Sequence, residues 1–176
     1  MGQYSNKTGD SLALLLEKYS GAVYSLVFRL VRNSEDAEEL VQDVFMKVFR
    51  HMDSFRGDSS LSTWIYKIAY HAAISRTRRQ KREYLPVDEA MIENMSEDSL
   101  SAFASGDGPV RYLEAALDML TVADRGMVLL FYMEDKSIDD IATITGLSVA
   151  NVKVRLHRIR KKLFVIITQM EENEDE

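Results

Sequence analysis

Cysteine is absent from all 176 residues. That excludes disulfides, Cys-ligated zinc, iron–sulfur clusters and thiol nucleophiles. Histidine is scarce: His51, His71 and His157 lie far apart and lack the spacing of a metal-ligand set. The eight glycines build neither GxGxxG nor GxxxxGK[ST], so no phosphate-cradling loop is present. No apolar run approaches the roughly 18 residues of a membrane span. The N-terminus has no basic-then-apolar signal pattern, and Asn6 stands where a myristoylation signal after Met1-Gly2 needs Ser or Thr. A monomeric cytoplasmic protein with no metal, no cofactor and no membrane contact of its own is expected. Without a metal cluster, thiol or convincing triad, catalysis is not expected either.

What is present is charge, unevenly spread. The formal net charge is −6. Yet residues 76–82 (RTRRQKR) carry five bases and no acid, and residues 153–162 (KVRLHRIRKK) carry six more and no acid. These two runs sum to +11 and the other 159 residues to −17. A Debye length of about 8 Å at physiological salt makes local clustering count for more than the total. Two basic patches on an acidic body suit a polyanionic partner.

The apolar periodicity is helical almost throughout, with no useful strand-like alternation. It predicts an all-α protein built as two small helical domains. The first helix runs from Leu12 to Val31, with Gly21 a candidate break. Ser34 is the expected N-cap of a second helix, with Glu35 and Asp36 suiting the dipole. Its apolar stripe is Ala37, Leu40, Val41, Val44, Phe45, Val48, Phe49 and Met52; Glu38, Glu39, Gln42, Asp43, Lys47 and Arg50 line the other face. After a polar loop, a third helix is expected from Ser62 to Arg82, buried through Trp64, Ile65, Ile68, Ala69 and Ala72. Residues 83–109 hold seven acids and no base, with Pro86 and Pro109 near the ends, and read as a flexible linker. Helices follow at 110–120, 123–134, 138–145 and 149–168. An acidic tail, disordered from Glu171 to Glu176, is expected to close the chain.

Residues 137–160, SIDDIATITGLSVANVKVRLHRIR, carry the sharpest signal. Ser137 and Asp140 resemble a capping box. Gly146 supplies a left-handed turn, Leu147 plugs the space between two helices, and Ser148 caps the second. Val152 and Leu156 point inward, one turn apart. Val149, Ala150, Asn151, Lys153, Val154, Arg155 and Arg158 are left outside. The pattern reads as a helix-turn-helix, against the alternative of an ordinary αα-hairpin with a basic helix; its second helix is then expected to present its N-terminal residues to base edges, with Lys161 and Lys162 farther along toward phosphates. Arg suits guanine, Asn suits adenine, and Val and Ala suit a thymine methyl. In the N-terminal half, aromatic groups precede the basic run, as in proteins that stack single-stranded bases. Trp64 falls on the apolar stripe, whereas Tyr66 and Tyr70 fall nearer the polar side. Ser59, Ser60, Ser62 and Thr63 are small polar groups fit to line a pocket for an extruded base.

The segment DAEELVQDVFMKVFRHMDSFRGDSSLSTWIYKIAYHAAISRTRRQKR resembles region 2 of bacterial extracytoplasmic-function (ECF) sigma factors, and LEAALDMLTVADRGMVLLFYMEDKSIDDIATITGLSVANVKVRLHRIRKKL resembles their region 4. The resemblance implies a subunit that binds core RNA polymerase and directs it to promoter DNA, and that an anti-sigma factor restrains. It implies a region 2 over residues 10–82, a linker over 83–109, a region 4 over 110–168 and a tail over 169–176. The polymerase-docking motif falls on Glu39, Leu40, Val41, Gln42 and Asp43, with Met46 and Arg50 beside it. Contacts to the −10 element are implied for Phe55, Arg56, Ser59, Ser60, Ser62, Thr63, Tyr66, Lys67, Tyr70, His71, Arg76, Arg78 and Arg79. Contacts to the −35 element are implied for Ser148, Val149, Asn151, Lys153, Val154, Arg155, Arg158, Lys161 and Lys162. Leu120-Thr121-Val122 departs from the proline that commonly opens the turn before the region 4 helix pair. The competing reading is a stand-alone helix-turn-helix regulator with an N-terminal sensor or dimerisation domain.

Overall fold

The computed structural model describes residues 4–78, 89–93 and 110–174. These residues form helices joined by turns, with no strand among them: α1 (Tyr4–Val31), α2 (Ser34–His51), α3 (Leu61–Arg78), α4 (Glu89–Glu93), α5 (Val110–Asp118), α6 (Val122–Tyr132), α7 (Ile138–Thr145) and α8 (Val149–Glu174). A 3₁₀ turn, Met52–Ser54, follows α2. The first three helices pack on one another; α5, α6 and α7 pack around α8.

Local chemistry accounts for most boundaries. Asn33, not Ser34, caps α2: its side chain accepts a bond from the Asp36 amide at 2.9 Å. Gly21 does not break α1, and a Cβ there would meet nothing within 4 Å. Ser60 caps α3 by accepting from the Thr63 amide at 3.0 Å. Thr121, where a proline was the familiar residue, caps α6 by accepting from Asp124. Each such cap contributes about 1 kcal/mol.

Three expectations need correction. The last helix does not stop at residue 168. Val165, Ile166 and Ile167 are buried, Met170 packs on the core, and the Tyr112 hydroxyl donates to Glu174, so α8 carries the acidic tail as far as Glu174. Part of the linker is not open coil: α4 lies along α8 with Ile92 buried. In α2, Phe49 is 44% exposed rather than part of the core. Most of the linker, and residues 79–82 of the first basic run, lie outside the described residues.

The two halves pack against each other. Helix α3 rests on α1 and α2 with one side and on α6 and α7 with the other; α1 also meets α6. One apolar cluster runs continuously from Val23 and Leu26, through Ile65 and Ala69, to Leu130, Ile144 and Leu156. Arg125, 1% exposed, reinforces the junction. Its guanidinium donates to the carbonyls of Leu117 and Asp118, at the end of α5, and of Arg29, at the end of α1 (2.8, 3.0 and 3.0 Å). Helix C-termini leave carbonyls without intrahelical partners, and a cation there also interacts favourably with the negative end of the helix dipole. Around it, Arg29 pairs with Glu114, and Arg32 with Glu114 and Asp118.

Candidate nucleic-acid interface

The helix-turn-helix forms as its residues require. The Ser137–Asp140 capping box opens α7, and Gly146 ends it at φ 78°. Only glycine enters that region cheaply. The Ser148 hydroxyl then accepts from the Asn151 amide at 3.2 Å, opening α8. Val152 and Leu156 are 0% and 1% exposed, and Leu147 packs against the same core. Val149, Asn151, Lys153, Val154 and Arg158 are exposed on the outer side; Lys161 and Lys162 are half-buried. Arg155 is half-buried, and its Nε donates to Asp124 Oδ1 of α6 at 2.7 Å. Asn151, Val154, Arg155, Arg158 and Lys162 line a groove of about 450 Å³ that Ile92 of α4 borders.

The −10 candidates are placed differently from the sequence expectation. Tyr66 and Tyr70 are not on a polar face but 3% and 6% exposed, because α3 is covered on two sides. Burial, and a bond donated to Glu134, push the Tyr66 hydroxyl far above the ordinary tyrosine range; burial also raises that of Tyr70. Thr63 is not exposed either: it is buried, and its hydroxyl donates to Asp140 Oδ1 at 2.8 Å. Ser62 accepts from Lys136 Nζ at 2.6 Å, and the same ammonium lies 4.5 Å from the Tyr66 ring centre. His71 Nε2 stands 2.8 Å from the Ile144 carbonyl oxygen and donates to it. Ser60, Arg56, Lys67 and Arg78 are exposed, while Ser59 and Phe55 are half-buried. Phe55 packs on Trp64 with ring centres 5.0 Å apart. Arg76 turns back onto α2, where Asp36 and Glu39 hold it. Arg79 lies outside the described residues.

On α2, Glu39, Gln42, Asp43, Met46 and Arg50 are all exposed, with Phe49 beside them. Leu40 and Val44 face inward, so the acidic-amphipathic strip is a true surface. A groove of about 530 Å³ separates it from α3, lined by Asp43, Lys47, Trp64, Lys67 and His71 among others. Arg125, Gly126, Glu134 and Lys136 were not candidates from sequence. Each faces a residue more than 50 positions away, Arg29, Tyr70, Tyr66 and Ser62 respectively, and only the capping-box spacing hinted at Asp140.

Asp140 serves two structures at once. Bonds from Ser137 hold its carboxyl below the ordinary value of 3.8 against the cost of burial, with Thr63 and Lys136 adding to the effect. A carboxyl depressed on folding contributes stability above its unfolded pKa and loses it as pH falls through the folded value. The melting temperature of the wild type is therefore expected to fall more steeply than that of Asp140→Asn between about pH 5 and pH 3. Parallel slopes in a thermal-melt series would reject this role.

Among the described residues, no three His, Asp or Glu side chains gather in a metal-sized cluster, and no helix is long and apolar enough to cross a membrane. The sequence matches the family model Sigma-70 region 2 over residues 15–83 and Sigma-70, region 4 over residues 111–163. RNA polymerase sigma factor YlaC of Bacillus subtilis is 30% identical, over 96% of this chain and 98% of the relative. ECF RNA polymerase sigma factor SigW of the same organism is 31% identical, over 88% and 87%. The solved sigma factor RpoE of Bartonella quintana, in complex with the anti-sigma factor NepR, shares the fold at TM-score 0.66 and 23% identity, over 90% of this chain and 97% of that one. The N-terminal match sets aside a sensor or dimerisation module attached to a stand-alone regulator. With both halves matched in order and relatives aligned along nearly the whole chain, this protein belongs to the ECF group of the sigma-70 family of RNA polymerase sigma factors.

Proposed function

We propose that this chain binds core RNA polymerase through the outer face of α2, reads the −10 element with α3 and the loop before it, and reads the −35 duplex with α8. It has no catalytic chemistry of its own, acts in the cytoplasm as a monomer, and is restrained by an anti-sigma factor, as the solved relative is bound by one. The domain roles follow the resemblance: region 2 over residues 10–82, the linker over 83–109 and region 4 over 110–168. The observation that carries the reading is the helix-turn-helix, with Gly146, Ser148, Val152 and Leu156 in their structural places and Asn151, Lys153, Val154 and Arg158 outside.

For α2, the support is an exposed strip in which Met46 and Phe49, 50% and 44% exposed, lie beside Gln42 and Asp43. Such apolar side chains amid charges suit a protein partner rather than DNA. Run-off transcription with purified core polymerase on a promoter library tests the function; no stimulation on any template overturns it. Asp43→Arg is expected to weaken association with core polymerase at least about tenfold, since like-charge contacts in an interface cost several kcal/mol. Its melting curve should stay within about 0.5 kcal/mol of wild type, as for other surface changes. An unchanged pull-down would reject this docking face.

A further inference from the structure

Val154 is 60% exposed, the most of any large apolar side chain described on α8. The fold uses a different stripe of that helix, through the buried Val152, Leu156, Ile159 and Leu163. At about 100° per residue, Val154 points almost directly away from that stripe, with the exposed Ala150 one turn before it. A valine there serves neither the core nor the helix, in which β-branched side chains lose rotamer freedom.

Its neighbours are polar and basic. Asn151 and Arg158 stand on one flank and Lys153 on the other, all exposed. Val154 lines the groove of about 450 Å³ together with Asn151, Arg155, Arg158 and Lys162. Asp124 holds Arg155 to the side of that groove, which leaves Val154 at the centre of the outward face. Cations on the flanks suit phosphates, whereas the central valine needs an apolar partner at the depth of the base edges. In the major groove of unmodified DNA the apolar group on a base edge is the C5-methyl of thymine.

We propose that Val154 selects a thymine in the −35 element by packing its two methyl groups against the C5-methyl of that base. The assignment rests on α8 being the −35-reading helix. Ala150 is small enough to let the helix sit close to the bases. Other base edges would present Val154 with donors or acceptors that it cannot pair, so the same side chain rejects them.

Deoxyuridine differs from thymidine only in lacking that methyl group, so it isolates the contact. Wild-type holoenzyme, reconstituted from the full chain and core polymerase, first selects its −35 element from a randomised promoter library. Each thymine of the selected element, on either strand, is then replaced in turn by deoxyuridine, and holoenzyme affinity is measured at one salt concentration. One replacement is expected to weaken wild-type binding about fourfold, the worth of one buried methyl-sized group. Val154→Ala places a good helix former at an exposed position, so the fold is kept. Its holoenzyme is expected to bind the thymine promoter more weakly and to respond to that same replacement by less than about twofold, because the two changes remove one shared contact. A selected element without thymine, or one in which no replacement weakens wild-type binding by about twofold, overturns the proposal. So does a response of about twofold or more that persists in Val154→Ala, since another group would then hold the methyl. A wild-type holoenzyme that selects no promoter at all is a different result, which sinks the function reading instead.

Discussion

Arg125→Ala is expected to destabilise the protein by about 3–5 kcal/mol, the range for losing a large buried side chain together with its hydrogen bonds. Arg125 is almost wholly buried, and three backbone carbonyls depend on it. One carbonyl belongs to α1 and two to α5, so the loss strikes the joint between the halves and the α5–α6 corner together. Only the bond to Leu117 is fully buried; leaving that acceptor unsatisfied costs about 1–3 kcal/mol, water can reach the other two carbonyls, and the vacated volume adds a cavity penalty. In a chain of this size, that total lowers the melting temperature by roughly 10 °C. Arg125→Met separates the two contributions: it fills much of the space but donates nothing, so it should recover part of the loss and no more. Calorimetry on both variants decides it. A shift under about 2 °C for the alanine variant would mean that water or a rearranged helix end satisfies those carbonyls.

Arg155→Ala is expected to cost about 1–3 kcal/mol of −35 discrimination, the value of one good bidentate contact to a base. The geometry adds a prediction about its partner. Asp124 holds the Arg155 guanidinium at 2.7 Å from a different helix of the same domain. A tethered arginine reaches the groove in a restricted set of orientations, and its charge is partly neutralised. Asp124→Ala should therefore relax discrimination while strengthening binding to unrelated duplexes, because a freed cation meets any phosphate. Holoenzyme binding to a −35 library at two salt concentrations reads both effects. Equal losses on every sequence after Arg155→Ala would make Arg155 a phosphate contact. Unchanged discrimination after Asp124→Ala would show that the pairing does not orient it.

In the helix-turn-helix, where the partners lie within about four residues, short-range signals are readable in the sequence. The Ser137–Asp140 box, the Gly146 turn, the Ser148 cap and the inward Val152 and Leu156 all form as spacing implies. The N-cap of α2 was misplaced by one residue, because Asn33 and Ser34 are both competent and only backbone geometry selects one. In the tail, acidic composition points to disorder, but burial of Val165, Ile166 and Ile167 and packing of Met170 on the core carry the helix onward to Glu174.

The burial of Tyr66 and Tyr70 was concealed for a different reason. Helix α3 has apolar or aromatic groups nearly all the way round: Trp64, Ile65, Tyr66, Ile68, Ala69, Tyr70, Ala72, Ala73 and Ile74. A helix of that kind is covered on more than one side, but a stripe-by-stripe reading assigns it a single buried face. Sequence alone determined the all-helical class, the helix-turn-helix and the outward side of its second helix, because each follows from neighbours along the chain. Tertiary structure decided which cations remain available, since Asp36, Glu39 and Asp124 reach Arg76 and Arg155 from 31 to 40 residues away. It also decided that α6 and α7 cover Tyr66 and Tyr70 of α3, because a pairing such as Gly126 with Tyr70 exists only once two distant helices touch.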